Sequence, residues 1–256
     1  MLLCNSLSTF MQLEGEVTAF DKYDSCGAYH WAECDRRYAN WKRYNPALDA
    51  RYELTARKIQ ELGVRGSLLD VGCGDGFLMA RVAPWMERVA GVDSEANAIR
   101  WAREKLREFP NCEPIHTACY DLPFPGNSFD VATSADVIEH LKNPASHLKE
   151  ICRVLKDGGA LVLTTPKWRP DRKWDPRHEK EYRPEELRAL LAKSFGDVEM
   201  SYFWPMKWSR FYATRPGWRL LKLLAIQLNN PFLQWSANEP GKFGQIMAVG
   251  RRPLRG

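Results

Sequence analysis

The chain lacks any apolar run near the roughly 20 residues needed to cross a bilayer, which excludes a spanning helix on the sequence alone. Its first residues carry no basic segment ahead of an apolar one, and Leu2-Leu3-Cys4 is too short for a secretory signal, so a cytoplasmic location is expected. The seven cysteines (Cys4, Cys26, Cys34, Cys73, Cys112, Cys119 and Cys152) are scattered and no pair has zinc-ligand spacing. Free thiols and no metal centre are therefore expected. There is no internal repeat and no low-complexity segment. Strong charge of one sign is also missing: 37 Lys and Arg against 32 Asp and Glu leave a net +5, which permits an anionic partner without demanding nucleic acid.

What is present is ample material for a core, with 45% hydrophobic residues in 256. From Ser67 onward the pattern alternates. Strands are expected at Ser67–Val71, Val89–Val92, Glu113–Thr117, Val131–Ser134 and Ala160–Thr164. Helices are expected at Phe77–Glu87, Glu95–Phe109 and Ala145–Leu155, the last stopped by Asp157-Gly158-Gly159. Such alternation predicts an α/β fold, a mostly parallel sheet with helices on both faces and ligands at the carboxyl ends of its strands. Ahead of it, Asn45–Leu62 has helical periodicity, with Leu48, Tyr52, Thr55 and Ile59 on one stripe. After it, Lys167–Arg183 reads as a long loop over the strand ends, Pro184–Lys193 as a helix, and Val198–Phe203 and Gln245–Arg251 as strands.

The most informative segment is Leu68–Gly76, Leu-Leu-Asp-Val-Gly-Cys-Gly-Asp-Gly. A buried strand breaks into a turn whose backbone must lie close to a ligand, because a Cβ at the glycines would block the approach or forbid the dihedrals. The following helix would point its N-terminus at the same ligand. A dinucleotide fingerprint fits poorly, since it wants its third glycine three positions after the second. Here Gly72, Gly74 and Gly76 strictly alternate, and position 77 is Phe. A second strand closes on Asp93, at the distance where a carboxylate meets ribose hydroxyls. Asp121-Leu122-Pro123-Phe124-Pro125, Asn127-Ser128-Phe129-Asp130 and Asp136-Val137-Ile138-Glu139-His140-Leu141 follow in order.

In this order and spacing, residues 44–195 closely resemble the class I S-adenosylmethionine-dependent methyltransferases, nearest to the small-molecule branch that includes the ubiquinone O-methyltransferases. The resemblance implies a Rossmann-like core at 67–203, an N-terminal helical lid at 1–66, a cap inserted at 204–243 and a final strand and tail at 244–256. It implies S-adenosyl-L-methionine as cofactor. Asp70 would favour its cationic amino-acid end, and Gly72, Cys73, Gly74 and Gly76 would let the backbone approach. Asp93, with Ser94 beside it, would hold the ribose, a pairing that suits a fixed carboxylate. Ser134 and Ala135 would floor the methyl group. Relatives place an aspartate for adenine where this chain has Ala118, so Cys119, Tyr120 and Asp121 are the substitutes. Arg51, after Tyr44-Asn45-Pro46, matches an arginine that reaches the cofactor's carboxylate; an ordinary solvated helix arginine is the alternative.

Methyl transfer requires alignment, exclusion of water and often loss of a proton. His140 and His178 are the candidate catalytic residues, with Asp136 and Glu139 as further bases, and Tyr29-His30-Trp31 is a candidate lid. The segment Ser134-Ala135-Asp136-Val137 departs from the Asn/Asp-Pro-Pro-aromatic pattern of base-amine methylation, and no Pro-Cys pair marks pyrimidine attack. An oxygen on a small-molecule, glycan or lipid-linked acceptor is therefore expected, and no DNA. An RNA methyltransferase and a catalytically silent cofactor-binding partner are the alternatives. The insert has Trp204, Trp208, Trp218 and Trp235, with Lys207, Arg210, Arg215, Arg219, Lys222 and Lys242 against the single acid Glu239. Its apolar helix Arg219–Leu228 suits peripheral membrane contact, a core-packed cap or a homodimer interface.

Overall fold

The computed structural model describes residues 22–37, 40–173 and 175–254. Two short helices, α1 (Lys22–Ser25) and α2 (Tyr29–Glu33), lead into the longer α3 (Pro46–Glu61). Asn45 starts α3 by accepting the Leu48 N–H at 3.2 Å, and Pro46 supplies a preset φ at its first turn. Next come β1 (Ser67–Val71), α4 (Phe77–Val82), β2 (Arg88–Asp93), α5 (Ala96–Lys105), β3 (Cys112–His116), β4 (Phe129–Ala135), α6 (Pro144–Val154) and β5 (Leu155–Pro166). The chain ends through α7 (Pro184–Leu191), β6 (Phe195–Pro205), α8 (Ser209–Tyr212), α9 (Arg215–Gln227), β7 (Trp235–Ser236) and β8 (Phe243–Pro253).

The strands form one sheet in the order β3-β2-β1-β4-β5-β8-β6-β7. The first five run parallel, while β8 is antiparallel to both β5 and β6. The chain winds outward from β1 to β3, then crosses back to β4. The strand order thus reverses beside β1, where the glycine loop emerges, and a crevice opens at such a point. Adjacent residues of one strand feed opposite layers of core. Leu69 and Val71 of β1 pack with Ile138, Leu148 and Leu161, whereas Leu68 packs with Leu78, Met79 and Ile99. Leu68 and Leu69 are both fully buried, each contributing about 1.5–3 kcal/mol by burial.

Several boundaries differ from the sequence expectation for local reasons. The helix begun at Phe77 ends at Val82 and continues only as a 3₁₀ turn, Ala83–Trp85, because the Pro84 ring cannot continue an α-helical ladder. Asn111 Nδ2 then holds the Ala83 and Met86 carbonyls at 2.9 Å each. Asp157-Gly158-Gly159 does not stop α6, which ends at Val154; those residues lie inside β5. Trp204 belongs to β6 rather than to the insert. Cys34, Cys73, Cys112, Cys119 and Cys152 are free thiols, whereas Cys26 is disulfide-bonded, against the expectation for all seven.

The inserted α9 is amphipathic. Leu221 is buried with Ala50 of α3 and Phe232, and Ala225 one turn on is buried as well. Lys222 is buried too, and its Nζ donates to the Trp41 and Lys42 carbonyls at 3.0 and 2.9 Å. One face of this helix is therefore packed as the core-packed reading expects. Leu220, Leu223 and Leu228 stay exposed, together with Phe211 of α8. Among the described residues, no helix is long and apolar enough to cross a membrane.

Candidate cofactor and acceptor site

The glycine loop is shaped by contacts that only glycine tolerates. Gly72, Gly74 and Gly76 have φ of 80°, 55° and 77°. A Cβ at Gly72 would stand 2.3 Å from Val137 Cγ2, and one at Gly74 would stand 2.3 Å from the Tyr23 hydroxyl. Backbone donors of the loop turn to β2: Gly72 and Cys73 donate to the Val92 carbonyl at 2.7 and 3.0 Å. Asp93 completes the tie. One carboxylate oxygen accepts the Gly74 N–H at 2.8 Å and the other accepts the Glu95 N–H at 2.9 Å. Each oxygen keeps a further lone pair for a ligand hydroxyl. Burial raises the pKa of Asp93, and these backbone donors oppose it.

Asp70 is buried at the end of β1, where it accepts the Thr133 hydroxyl at 2.7 Å. Burial raises its pKa to about 7, the Thr133 hydrogen bond opposes the rise, and the charge of Asp93 adds to it. A folded-state value above the unfolded one means that folding takes up a proton between these limits, so this carboxyl costs stability as pH climbs towards 7. A cationic ligand beside it reverses the preference. Cofactor binding near pH 7 is thus expected to release a proton from Asp70. Calorimetric enthalpies should depend on buffer ionisation heat, and Asp70→Asn should remove that dependence; an unchanged dependence in the variant would refute the assignment.

The segment before α3 sits directly on this loop. Tyr23 is buried over Gly74, and the Tyr29 ring packs at a 37° tilt against His30 with ring centroids 3.9 Å apart. The anchor is Asp75, fully buried between two glycines. It accepts the His30 N–H at 3.0 Å and pairs with His30 Nδ1 at 2.9 Å, while the Trp31 indole donates to its carbonyl at 2.9 Å. Asp75 was not among the residues expected from sequence. Its only signal was a carboxylate flanked by glycines, where no solvent-facing role suggested itself.

Arg51 is no solvated helix arginine. It ion-pairs with Asp136, its guanidinium lies 5.0 Å over the Tyr52 ring, and its Nε is buried without a partner. Asp136, just beyond β4 at φ 54°, also accepts the Thr164 hydroxyl at 2.9 Å. Aspartate tolerates that left-handed conformation better than most residues. Ser134 differs from its expected role: its side chain is fully buried and its hydroxyl bonds to His147 Nε2 at 3.1 Å, so only Ala135 at the strand end remains partly accessible. Burial lowers the His147 pKa to about 4.

On the other side of Asp93, the Thr117 N–H donates to the Asp93 carbonyl at 3.0 Å and His116 Nε2 donates to the Ser94 carbonyl at 2.9 Å. These bonds bring the segment after β3 alongside the end of β2. Cys119 is half-buried against the core, whereas the Tyr120 ring and Asp121 are exposed. Glu150 of α6 accepts the next N–H, that of Leu122, at 3.0 Å.

Beyond β4, His140 and His178 meet edge to face, with centroids 4.8 Å apart. The loop 167–183 is folded back to bring them together. The backbone N–H groups of Glu179 and Lys180 donate to the Glu139 carbonyl at 2.7 and 3.1 Å. Glu139 itself is buried and accepts the Thr165 hydroxyl at 2.9 Å. Burial raises its pKa, the charge of Asp136 adding to the effect, while burial lowers that of His140. One ring nitrogen of each histidine and a carboxylate oxygen of Glu139 lie within 4.8 Å of one another.

Residues 69–163 match the family described as "Methyltransferase domain". A probable S-adenosylmethionine-dependent methyltransferase of Mycobacterium tuberculosis is 30% identical over 156 residues, covering 59% of this chain and 56% of that protein. A ubiquinone biosynthesis O-methyltransferase of Thiobacillus denitrificans is 30% identical over 145 residues, covering 54% of this chain and 58% of the other. The chain thus spans somewhat over half the length of these curated relatives. Among solved structures, a putative methyltransferase of Haloferax volcanii, in complex with a methyltransferase activator, superimposes with a TM-score of 0.62 at 16% identity. That match covers 91% of this chain and 97% of the other, and it is a likeness of fold.

Proposed function

We propose that this chain, whose residues 69–163 match a methyltransferase domain, is a class I S-adenosylmethionine-dependent methyltransferase that methylates an oxygen of a hydroxylated, amphiphilic small molecule or lipid- or glycan-linked acceptor. The observation that carries the cofactor half is the cradle of Gly72, Gly74 and Gly76, held to Asp93 through the Gly74 N–H. The residues fit the group. Asp93 offers lone pairs to a diol, Asp70 is a buried carboxyl poised to ionise beside a cation, and the Arg51 Nε is a buried donor in need of an acceptor. The cofactor supplies a methyl group on a sulfonium. The chain's own residues bind and orient it, and Tyr23, Tyr29 and His30 exclude water from above the glycine loop.

Support for an oxygen acceptor comes from Ser134-Ala135-Asp136-Val137 after β4, which lacks the amine-methylation pattern, and from the O-methyltransferase among the relatives. Support for an amphiphilic one comes from the exposed Leu220, Leu223 and Leu228 of α9 beside exposed Arg215 and Arg219. One assay tests both halves. Radiolabelled cofactor is offered with hydroxylated quinol-type acceptors in anionic vesicles, with the same acceptors in detergent, and with RNA. Label should enter the organic phase, fastest with vesicles. Label in RNA alone would overturn the acceptor reading, and failure of well-folded protein to bind S-adenosylhomocysteine would overturn the cofactor reading.

A further inference from the structure

We infer that the cavity between α5 and the end of β3 is a binding site for a small molecule carrying two or three linked phosphates. The cavity measures about 340 Å³, the size of a small-molecule site, and Arg100, Arg103, Arg107 and His116 line it. This site goes beyond the proposed methyl transfer and does not rest on it.

One helical stripe builds the basic wall. Arg100, Arg103 and Arg107 stand at i, i+3 and i+7, so α5 and the turn after it present all three guanidinium groups on one side. At about 1.5 Å of rise per residue they spread over roughly 10 Å, a reach that suits linked phosphates rather than a single one. The opposite side of the helix is core, with Ala98, Ile99 and Ala102 buried. Arg100 is held in place: its Nε donates to Asn97 Oδ1 at 3.3 Å, and its guanidinium lies 4.5 Å over the Trp101 ring. Neither contact supplies an anion. Among the described residues Arg103 and Arg107 have no ion pair, whereas nearby Arg88 takes Glu113 at 3.1 Å. The cavity's single acid, Glu104, lies 3.8 Å from Lys105 Nζ, so the wall keeps a positive excess. Guanidinium forks match phosphate oxygens bidentately, which makes phosphate the anion this wall selects.

Placement separates this ligand from the acceptor. The sheet runs β3-β2-β1-β4, so the cavity stands at the β3 edge, whereas Asp70 and Ala135 end β1 and β4. The cavity does adjoin the ribose carboxylate through the backbone. His116 Nε2 donates to the Ser94 carbonyl at 2.9 Å, and the N–H of the next residue, Thr117, donates to the Asp93 carbonyl at 3.0 Å. Ala96, which also lines the cavity, follows Glu95, whose N–H holds the Asp93 carboxylate at 2.9 Å. A polyanion seated on α5 thus lies beside Asp93 without using its lone pairs, and it binds together with the cofactor rather than in its place.

The test titrates the full chain at low salt with inorganic tripolyphosphate, pyrophosphate and orthophosphate, read by calorimetry. One tripolyphosphate is expected to bind per chain, at least about 10-fold more tightly than orthophosphate, with or without saturating S-adenosylhomocysteine. Arg103→Gln and Arg107→Gln should each weaken it by about 10-fold, because each removes a charge-assisted pair. Arg219→Gln on α9 should leave it unchanged. All three positions are exposed, so the variants should melt with the parent. No saturable binding by folded protein overturns the site, as does binding indifferent to both Arg103→Gln and Arg107→Gln. Competition with S-adenosylhomocysteine would place the anion in the cofactor site and overturn it equally. A single-stranded RNA oligomer that binds more tightly than tripolyphosphate through the same arginines would make this face a nucleic-acid surface and overturn the small-molecule reading.

Discussion

Asp93→Ala is expected to lower affinity for S-adenosylhomocysteine by about 100-fold or more. Hydrogen bonds to a charged acceptor contribute about 1.5–3 kcal/mol each, and a ribose diol makes two of them to one carboxylate. The loss has a second source in the protein itself. Asp93 holds the Gly74 N–H at 2.8 Å and the Glu95 N–H at 2.9 Å, so its removal frees the middle of the glycine loop as well as the ribose. Asp93→Asn separates the two contributions. An amide oxygen can still accept from Gly74 while the charge is gone, so an intermediate loss of about 10-fold is expected. Calorimetric titration of both variants, with thermal melts to confirm folding, gives the answer. Affinity in Asp93→Ala within a few-fold of the parent would remove Asp93 from the cofactor site.

The legible parts of this protein are those where one residue type has few physical alternatives. Alternating glycines after Leu68-Leu69-Asp70-Val71 demanded positive φ, and the loop has it, with Val137 and the Tyr23 hydroxyl packed where a Cβ would stand. The parallel core was legible because its strands are short apolar runs buried on both faces. Side-chain partnership was not. Arg51 could be free or paired with equal ease on sequence, and the choice fell to Asp136, a residue 85 positions away. Likewise Ser134 turned to His147, and Asp75 to His30 across 45 positions. Nor could periodicity say that Glu139 would join His140 and His178, because that meeting depends on how loop 167–183 folds back onto the Glu139 carbonyl.

Gly72→Ala is expected to cost the protein much of its stability. At φ 80° an alanine costs about 1–3 kcal/mol of backbone strain. Its Cβ would also stand 2.3 Å from Val137 Cγ2, and overpacking of that kind costs about 1–3 kcal/mol more. Together, about 2–6 kcal/mol at roughly 2–4 °C per kcal/mol for a chain of this size predicts a melting temperature lower by about 4–24 °C. Gly158→Ala is the control, since a Cβ there meets nothing within 4 Å; its melting temperature should move by no more than about 2 °C. Adding Val137→Ala to Gly72→Ala removes the clash and leaves the strained φ, so the double variant should regain part of the lost stability relative to Val137→Ala alone. If it regains none, the strain lies wholly in the backbone. Should it regain stability without recovering S-adenosylhomocysteine binding, the glycine is needed at this position for the approach of the ligand, beyond any need of the fold.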